Sequence, residues 1–261
     1  MSVKTEQRAR NILQILLQHG SASVDELVSL LSTSAPSVRR DLVRLQKQHL
    51  VHRTHGGVTL AGQMHYEAFR FDSSFHERES RFSEEKRRIG LAAAELICEH
   101  DTVGFTAGTT PTQVARCIRH RSSIHVITNA VNIGMELSNQ PALNVTLTGG
   151  TMRWAGAFSL IGPTAIEMLN GVFMDKVFIG VCGIDARRGA TTIEPDEAAV
   201  FRAMVRQAKK VIVVADSSKI GMVSPALICP ASDIDILVTD TGIAPEALEA
   251  SQASGIEVRA V

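Results

Sequence analysis

The feature that most constrains the fold is a basic amphipathic segment near the N-terminus, SAPSVRRDLVRLQKQHLVHRTHGG, at residues 34–57. It starts with Ser34, a residue type that commonly caps a helix N-terminus. Apolar side chains then recur at helical spacing at Val38, Leu42 and Leu45. Arg40 and Arg44 fall on the opposite side. The segment therefore predicts a helix with one face for a protein core and one for a polyanion.

A hairpin is predicted directly after this helix. Residues 50–54 have an extended pattern, His55-Gly56-Gly57 forms a turn, and residues 58–60 lead back. Two earlier helices are predicted, one at 5–19 and one starting from the capping-box sequence SVDE at 23–26. Three helices followed by a basic hairpin are typical of a winged helix-turn-helix domain, which places its recognition helix in DNA.

Charge is distributed unevenly along the chain. The 261 residues carry no formal net charge, yet the first 60 hold eight Lys and Arg against four Asp and Glu. The N-terminal region is therefore suited to phosphates, and the remainder, which carries the balancing negative excess, is not expected to form a second nucleic-acid surface.

DNA contacts are expected on the third helix, at its N-terminal cap and on the hairpin. Ser37, Arg40 and Arg44 are assigned to base edges and adjacent phosphates, and Arg39 to backbone phosphate. Asp41 is expected to orient Arg44 or to hold a backbone amide. The full set is Ser34, Pro36, Ser37, Arg39, Arg40, Arg44, Arg53 and His55. The alternatives are a solvated charged face for the arginines and a plain polar hairpin for the histidines.

The rest of the chain predicts a larger domain. Residues 61–82 lack a clear period and are interpreted as a linker between a DNA-binding domain at 1–60 and a second domain at 83–261. Packing of Tyr66, Phe69, Phe71 and Phe75 is expected to order this linker in part. Over 83–261, short β-branched strands alternate with helices. The fold class is therefore α/β, with a mostly parallel sheet and helices on both faces.

Polar loops follow successive strands of this sheet, where ligands of such folds bind. The first is TAGTTPT at residues 106–112, in which a glycine and consecutive hydroxyls precede a helix, as in a phosphate cradle. Its alternative is an ordinary helix cap. Glycines, hydroxyls and the cations Arg153 and Lys219 end later strands, with Asp185 and Glu197 as acceptors for sugar hydroxyls. The predicted effector-binding residues are Thr106, Gly108, Thr109, Thr110, Thr112, Asn129, Gly149, Gly150, Arg153, Gly183, Asp185, Glu197 and Lys219.

These loops predict a sugar-phosphate pocket, and two functions use one. A ligand-responsive DNA-binding repressor explains the N-terminal domain and needs no catalytic residue. A sugar-phosphate isomerase or transferase, with Glu197 or Asp185 as general base, would leave that domain unexplained. A nucleotide-binding oxidoreductase is excluded because no GxGxxG sequence follows a strand and opens a helix.

The chain also resembles a known family. VRRDLVRLQKQHLVHRTHGG is similar to the N-terminal signature of the DeoR family of bacterial sugar-metabolism repressors. EKRRIGLAAAELI, GTT, VITNA, TGGTMR, FIGVCGID and ADSSKIG resemble, in order, its sensor-domain motifs. The resemblance implies a sensor fold related to ribose-5-phosphate isomerase and coenzyme A transferases, and release from a carbohydrate or polyol operon by a phosphorylated sugar or polyol. The GTTP, QHL and Asn129/Asn132 features look most like the glycerol-3-phosphate repressor branch.

The remaining expectations concern the cell and the assembly. No apolar run is long enough to span a bilayer, and MSVKTEQRAR lacks the apolar core of a signal peptide, so a cytoplasmic protein is expected. The four cysteines stand singly in apolar segments, which favours buried thiols over a zinc site. We expect neither a metal nor a cofactor. Operator double-stranded DNA is the expected partner, and helix-turn-helix proteins bind paired half-sites, so a homo-oligomer is expected.

Overall fold

The computed structural model describes residues 3–47, 50–54, 57–60, 73–153 and 158–261. The chain divides after residue 66 into two compact units. The helices are α1 (Val3–His19), α2 (Val24–Leu30), α3 (Ala35–Lys47), α4 (Ser73–Ser80), α5 (Ser83–Glu95), α6 (Thr109–Cys117), α7 (Val131–Leu137), α8 (Pro163–Asn170), α9 (Pro195–Arg206) and α10 (Pro245–Ala253). The strands are β1 (Ser21–Ala22), β2 (Val51–Thr54), β3 (Gly57–Leu60), β4 (Thr102–Phe105), β5 (Ile124–Thr128), β6 (Leu143–Leu147), β7 (Thr151–Arg153), β8 (Ser159–Ile161), β9 (Met174–Ile179), β10 (Gly183–Asp185), β11 (Gly189–Thr192), β12 (Ala208–Val214), β13 (Ala226–Cys229), β14 (Ile236–Thr239) and β15 (Glu257–Ala260).

The first unit is a winged helix-turn-helix. The α2 helix begins at a complete capping box, in which the Ser23 hydroxyl accepts from the Glu26 amide and the Glu26 carboxylate accepts from the Ser23 amide. The predicted apolar face of α3 is buried, and it packs with Ile12 and Leu16 of α1 in one core. The β2 and β3 strands form the wing, and β1 pairs with β3 as a third strand that the sequence did not predict.

The second unit is built on a seven-stranded sheet with the order β15-β14-β12-β9-β4-β5-β6. Every neighbouring pair in it is parallel. The chain steps outward from β4 to β6 in one direction and from β9 to β15 in the other. Because crossover connections between parallel strands are right-handed, the helices of the two halves cover opposite faces. This confirms the predicted α/β architecture.

The reversal of strand order lies between β4 and β9, which are adjacent in the sheet. At such a switch point, the connections leaving the two strands diverge to opposite faces and leave a crevice beyond the carboxyl ends. Two glycines allow these ends to approach. A Cβ atom on Gly180 would lie 2.9 Å from Cδ of Pro111, and Gly108 has a φ of +153°, which disfavours other residues.

Several expectations need correction. Residues 73–80 of the predicted linker form α4, whose Phe75 is buried against Phe158, with ring centroids 5.1 Å apart. The predicted packing of Phe75 is therefore confirmed, whereas the helix itself was not predicted. The short strands β7, β8, β10, β11 and β13 were not predicted, and their pairings are antiparallel.

The cysteines are less uniform than expected. Cys117 and Cys229 are buried, and burial raises the pKa of each thiol to about 12. Cys98 is exposed and Cys182 is half-buried, so the prediction of buried thiols holds for two of the four. None of the described helices is both long and apolar enough to cross a membrane.

Candidate functional site

The α3 helix presents a polar surface opposite its buried side. Pro36, Arg39 and Arg40 are exposed, whereas Ser37 is half-buried. The Arg40 guanidinium folds back along the helix, where its Nε lies 3.3 Å from the carbonyl of Pro36 and its Nη2 lies 3.5 Å from Oγ of Ser37. This arrangement places a fork of donors over the N-terminal half of α3, where a recognition helix can contact base edges.

Arg44 lies at the flank of this surface. Its side chain is 24% exposed, and its Nη2 is 3.7 Å from Oδ1 of the buried Asp41, as the sequence predicted. The structure adds a closer partner from α1, since Nε of Arg8 lies 2.5 Å from Oδ2 of Asp41. Arg44 is thus held at the edge of the helix, which favours phosphate contact over base reading.

The other predicted DNA contacts lie before and after α3 in the chain. Ser34 precedes the helix, and its Oγ is 3.0 Å from Oγ of Ser37. Arg53 is exposed on β2. His55 lies outside the described residues. The described members of the predicted set therefore all belong to α3, its cap or the wing.

A cavity of about 130 Å³ occupies the second unit at the switch point. The loops after β4, β9 and β12 form its floor, and α9 and the α4–α5 region form its walls. A cavity of this size can hold a small molecule. Four basic residues line it, Arg78, Arg81, Lys86 and Lys219, against two acidic ones, Glu197 and Asp216.

The N-terminus of α6 faces this cavity. Gly108, Thr109 and Thr110 line the cavity, and α6 begins at Thr109. The first amides of a helix have no intrahelical partner, and the helix dipole favours an anion there. Pro111 at the third position has no amide to lose, which suits the start of a helix. The loop therefore supports the predicted phosphate cradle.

Lys86 supplies a buried positive charge to the same cavity. It is 4% exposed, and its ammonium donates to the backbone carbonyls of Arg78 and, at 2.7 Å, of Arg81. Burial lowers the pKa of Lys86, an effect that the nearby carboxylate of Asp216 opposes. A desolvated ammonium gains most from an anionic ligand, because the surroundings screen its charge weakly.

The loop after β12 is fixed by a neighbouring strand end. Oδ1 of Asp240 accepts from the Ser217 amide at 2.6 Å, and Oδ2 accepts from the Gly242 amide at 2.9 Å. Burial raises the pKa of Asp240, but these donors outweigh it and the net shift is downward. The carboxylate stays charged and holds the loop that carries Asp216 and Lys219 into the cavity.

Glu197 lies on the α9 wall. It is 7% exposed, and its Oε1 accepts from the Ser159 hydroxyl at 2.6 Å. Nη1 of Arg153 lies 3.3 Å from the same oxygen. Nη2 of Arg153 lies 2.7 Å from Oε1 of Glu194. Arg153 was predicted to contact the effector, but the structure places it behind Glu197, outside the residues that line the cavity.

Of the predicted effector-binding residues, five line the cavity: Gly108, Thr109, Thr110, Glu197 and Lys219. Three others are buried with their polar groups already bonded inside the protein. The Thr106 hydroxyl accepts from the Gly180 amide at 2.9 Å. The Thr112 hydroxyl donates to the carbonyl of Gly108 at 2.7 Å. The Asn129 side chain accepts from the Ala107 amide and donates to the carbonyl of Leu160. These residues hold the loops and do not line the cavity, and their assignment to the effector stays a prediction.

The remaining four also lie away from the cavity lining. Gly149 and Gly150 are exposed, in a turn that leads to β7, with φ values of +69° and +105°. Gly183 packs against Met222, whose carbonyl oxygen would be 2.4 Å from an added Cβ. Asp185 accepts from the Arg187 and Arg188 amides at 2.9 Å and so closes the β10–β11 turn.

Sequence reasoning missed the cationic wall of the cavity, formed by Arg78, Arg81 and Lys86. Arg78 and Arg81 lie in the stretch interpreted as linker, and Lys86 was not assigned to the effector. Two other lining residues, Asp216 and Ser218, were visible in the ADSSK segment but were not assigned to the effector. A lysine on the apolar side of α5 was the one signal for this wall.

A winged helix-turn-helix unit followed by an α/β unit with a ligand-sized cavity defines a DNA-binding protein with a sensor domain. Two family models match the chain. The DeoR-like helix-turn-helix domain matches residues 8–63, and the DeoR C terminal sensor domain matches residues 81–241. The chain belongs to the DeoR family of transcriptional regulators.

Its relatives include named repressors. It is 37% identical to the HTH-type transcriptional repressor GlcR of Bacillus subtilis (strain 168), over 90% of this chain and 88% of the relative. It is 29% identical to the glycerol-3-phosphate regulon repressor of Escherichia coli (strain K12), over 91% and 92%. Identity therefore does not single out the glycerol-3-phosphate branch.

Solved structures with a similar trace include two enzymes. Ribose 5 phosphate isomerase A from Neisseria gonorrhoeae aligns over 51% of this chain and 52% of its own, with 15% identity and a TM-score of 0.37. The 4-hydroxybutyrate CoA-transferase from Porphyromonas gingivalis aligns over 64% and 52%, with 16% identity and a TM-score of 0.42.

Proposed function

We propose that this protein represses a carbohydrate or polyol catabolic operon in the cytoplasm and leaves its operator when a phosphorylated sugar or polyol occupies the cavity. The supporting observation is that the α6 N-terminus lines the same cavity as four basic and two acidic residues, a surplus of two positive charges. A phosphomonoester carries a charge between about −1.5 and −2 at pH 7, which this surplus balances. The name of the Escherichia coli relative, a glycerol-3-phosphate regulon repressor, supports the same class of regulon.

The enzyme alternative is set aside, because the chain belongs to a family of transcriptional regulators. The geometry offers it little support. Oε1 of Glu197 is held by Ser159 and Arg153, and Asp185 closes a turn outside the cavity. Neither carboxylate has the freedom that a general base needs to reach a substrate proton.

Effector occupancy reaches the DNA-binding unit through α4, the first described element after the wing along the chain. Two sets of polar contacts hold α4 within the sensor unit, in addition to the packing of Phe75 against Phe158. The Lys86 ammonium donates to the carbonyls of Arg78 and Arg81, at the C-terminal end of α4. Oε1 of Glu79 on α4 lies 2.6 Å from Nη1 of Arg116 on α6. A phosphate at the cradle attracts the Lys86 ammonium and weakens its bonds to these carbonyls. Binding thus changes the stability of α4, a differential interaction that can shift a population of states.

The experiment has two parts. Operator DNA is selected from a random duplex pool with the full chain, and phosphorylated sugars and polyols, glycerol 3-phosphate among them, are tested for its release while turnover of each is followed. Release by one compound without turnover supports the proposal. Turnover, or release by no phosphorylated compound, overturns it. Light scattering on the complex tests the homo-oligomer.

The α4 step has its own measurement. Hydrogen exchange of the full chain is compared with and without the releasing compound. Faster amide exchange at residues 73–82 on binding supports the transmission through α4, and the α10 helix, which lines no part of the cavity, serves as the internal control. Unchanged exchange at 73–82 under saturating effector contradicts it.

A further inference from the structure

The outward stripe of α3 contains an apolar residue. Helical spacing places Pro36, Arg40, Val43 and Lys47 together, opposite the buried Val38 and Leu42. Val43 is 43% exposed, and Pro36, Arg40 and Lys47 are exposed as well. Val43 therefore lies near the centre of the face that α3 turns away from its own core. The DNA-contact residues predicted on this face are Ser37, Arg40 and Arg44, and they do not include Val43.

Its surroundings set Val43 apart from an ordinary surface valine. Single exposed apolar residues are common on proteins, and valine is a weak helix former, so neither the core nor helix propensity accounts for it. Here its helical neighbours are Arg39, Arg40 and Lys47, all exposed cations. When these side chains hold the DNA backbone and bases, the valine methyls between them lose contact with water. The apolar area is thus buried only in the DNA complex.

The major groove offers one apolar group to such a side chain, the C5 methyl of thymine. We propose that Val43 reads a thymine in the operator by contact with this methyl group. Arg40 lies three residues earlier, about 4.5 Å along the helix axis, and base pairs are about 3.4 Å apart. A guanine read by Arg40 is therefore expected within one or two base pairs of the thymine.

The test removes the methyl group alone. An operator is selected with the wild-type full chain, and each thymine is replaced singly by deoxyuridine, which keeps every hydrogen-bonding group. One replacement is expected to weaken wild-type binding about fourfold, the worth of one buried methyl group. The Val43→Ala variant is expected to bind the thymine and deoxyuridine operators equally, and selection with it is expected to lose the preference for thymine at that position.

Leu30→Ala is the matched control, because Leu30 is 60% exposed on α2 and lies off the α3 stripe. It should retain the wild-type response to deoxyuridine. Thermal unfolding shows whether each variant is folded. If no replacement affects the wild type, or if Val43→Ala loses the same factor as the wild type, the proposal is overturned. Weaker but unaltered selectivity in Val43→Ala would indicate contact with the sugar-phosphate backbone and would also overturn it.

Discussion

Nε of Arg8 on α1 lies 2.5 Å from Oδ2 of Asp41 on α3, and this ion pair joins the first helix of the DNA-binding unit to the third. The Asp41 side chain is 4% exposed and that of Arg8 is 25% exposed. The carboxylate also faces Arg44. The position of α3 against α1 therefore depends on a nearly buried charge that only paired arginines make tolerable.

Asp41→Asn is expected to lower the free energy of unfolding of the DNA-binding unit by roughly 1–3 kcal/mol, because it removes the acceptor charge from two arginines. The value stays below that of a fully buried pair because solvent screens Arg8. Urea unfolding and operator titration of the full chain measure both effects. Asp25→Asn, a change at an exposed carboxylate of α2, is the control. Equal unfolding curves for the two variants would contradict the role of the ion pair.

Arg40→Ala and Arg44→Ala are both expected to weaken operator binding, but in different ways. Loss of Arg40 should cost roughly 1–3 kcal/mol and relax specificity at one base pair. Loss of Arg44, which lies at the flank beside Asp41, should weaken specific and non-specific DNA alike and reduce the salt slope by about one. Titrations at several salt concentrations distinguish the two. Arg187→Ala, at an exposed arginine of the sensor, should change neither, and unchanged operator affinity in a folded Arg40/Arg44 double variant would refute the assignment.

The cavity predicts which sensor variants lose induction. Thr109→Ala and Lys219→Ala are expected to abolish release by the effector and to leave operator affinity intact, because both residues line the cavity and neither belongs to the DNA-binding unit. Asp185→Asn is expected to keep the effector response, since Asp185 lies in a turn outside the lining residues. Effector-dependent release from labelled operator is the measurement. Normal induction in both cavity variants would mean that the effector binds elsewhere.

Effector affinity should depend on pH through Lys86. Burial lowers the pKa of this ammonium, and the carboxylate of Asp216 opposes the shift. Lys86 therefore loses its charge at a lower pH than an ordinary lysine, whose pKa is about 10.4. A phosphate with a second pKa near 6 remains a dianion in this range. Affinity should therefore fall as the pH rises through the lowered pKa. Calorimetric titrations between pH 7 and 10 measure it, and Lys86→Met should bind more weakly with a flatter profile. Parallel profiles would contradict the role of Lys86.

Much of the fold was predictable because its signals are local. The capping box of α2 needs only Ser23 and Glu26, three residues apart. The short antiparallel strands escaped prediction for the opposite reason. The β1 strand has only two residues, and β3 is its partner more than thirty residues later. A segment that short has no period to read, so its pairing partner defines it.

The recognition surface shows how far helical spacing can be taken. It located the buried side of α3 correctly and placed Asp41 next to Arg44. It did not separate Arg40 from Arg44 on the outward side, since both are charged and both lie off the core. The ion pair with Asp41, which α1 completes through Arg8, decides that Arg44 stays at the flank.

The sequence by itself determined that a winged helix-turn-helix precedes a parallel α/β sensor, that the third helix carries the DNA-facing charge, and that glycine and hydroxyl groups gather at the strand ends. Only the tertiary structure decided which of these groups line the cavity. Thr106, Thr112 and Asn129 are buried, and a buried polar group must find a partner, so they bond to the backbone inside the protein. Lys86 comes to the cavity from a helix that precedes the first strand of the sheet, because α5 packs against α6, whose N-terminus also lines the cavity.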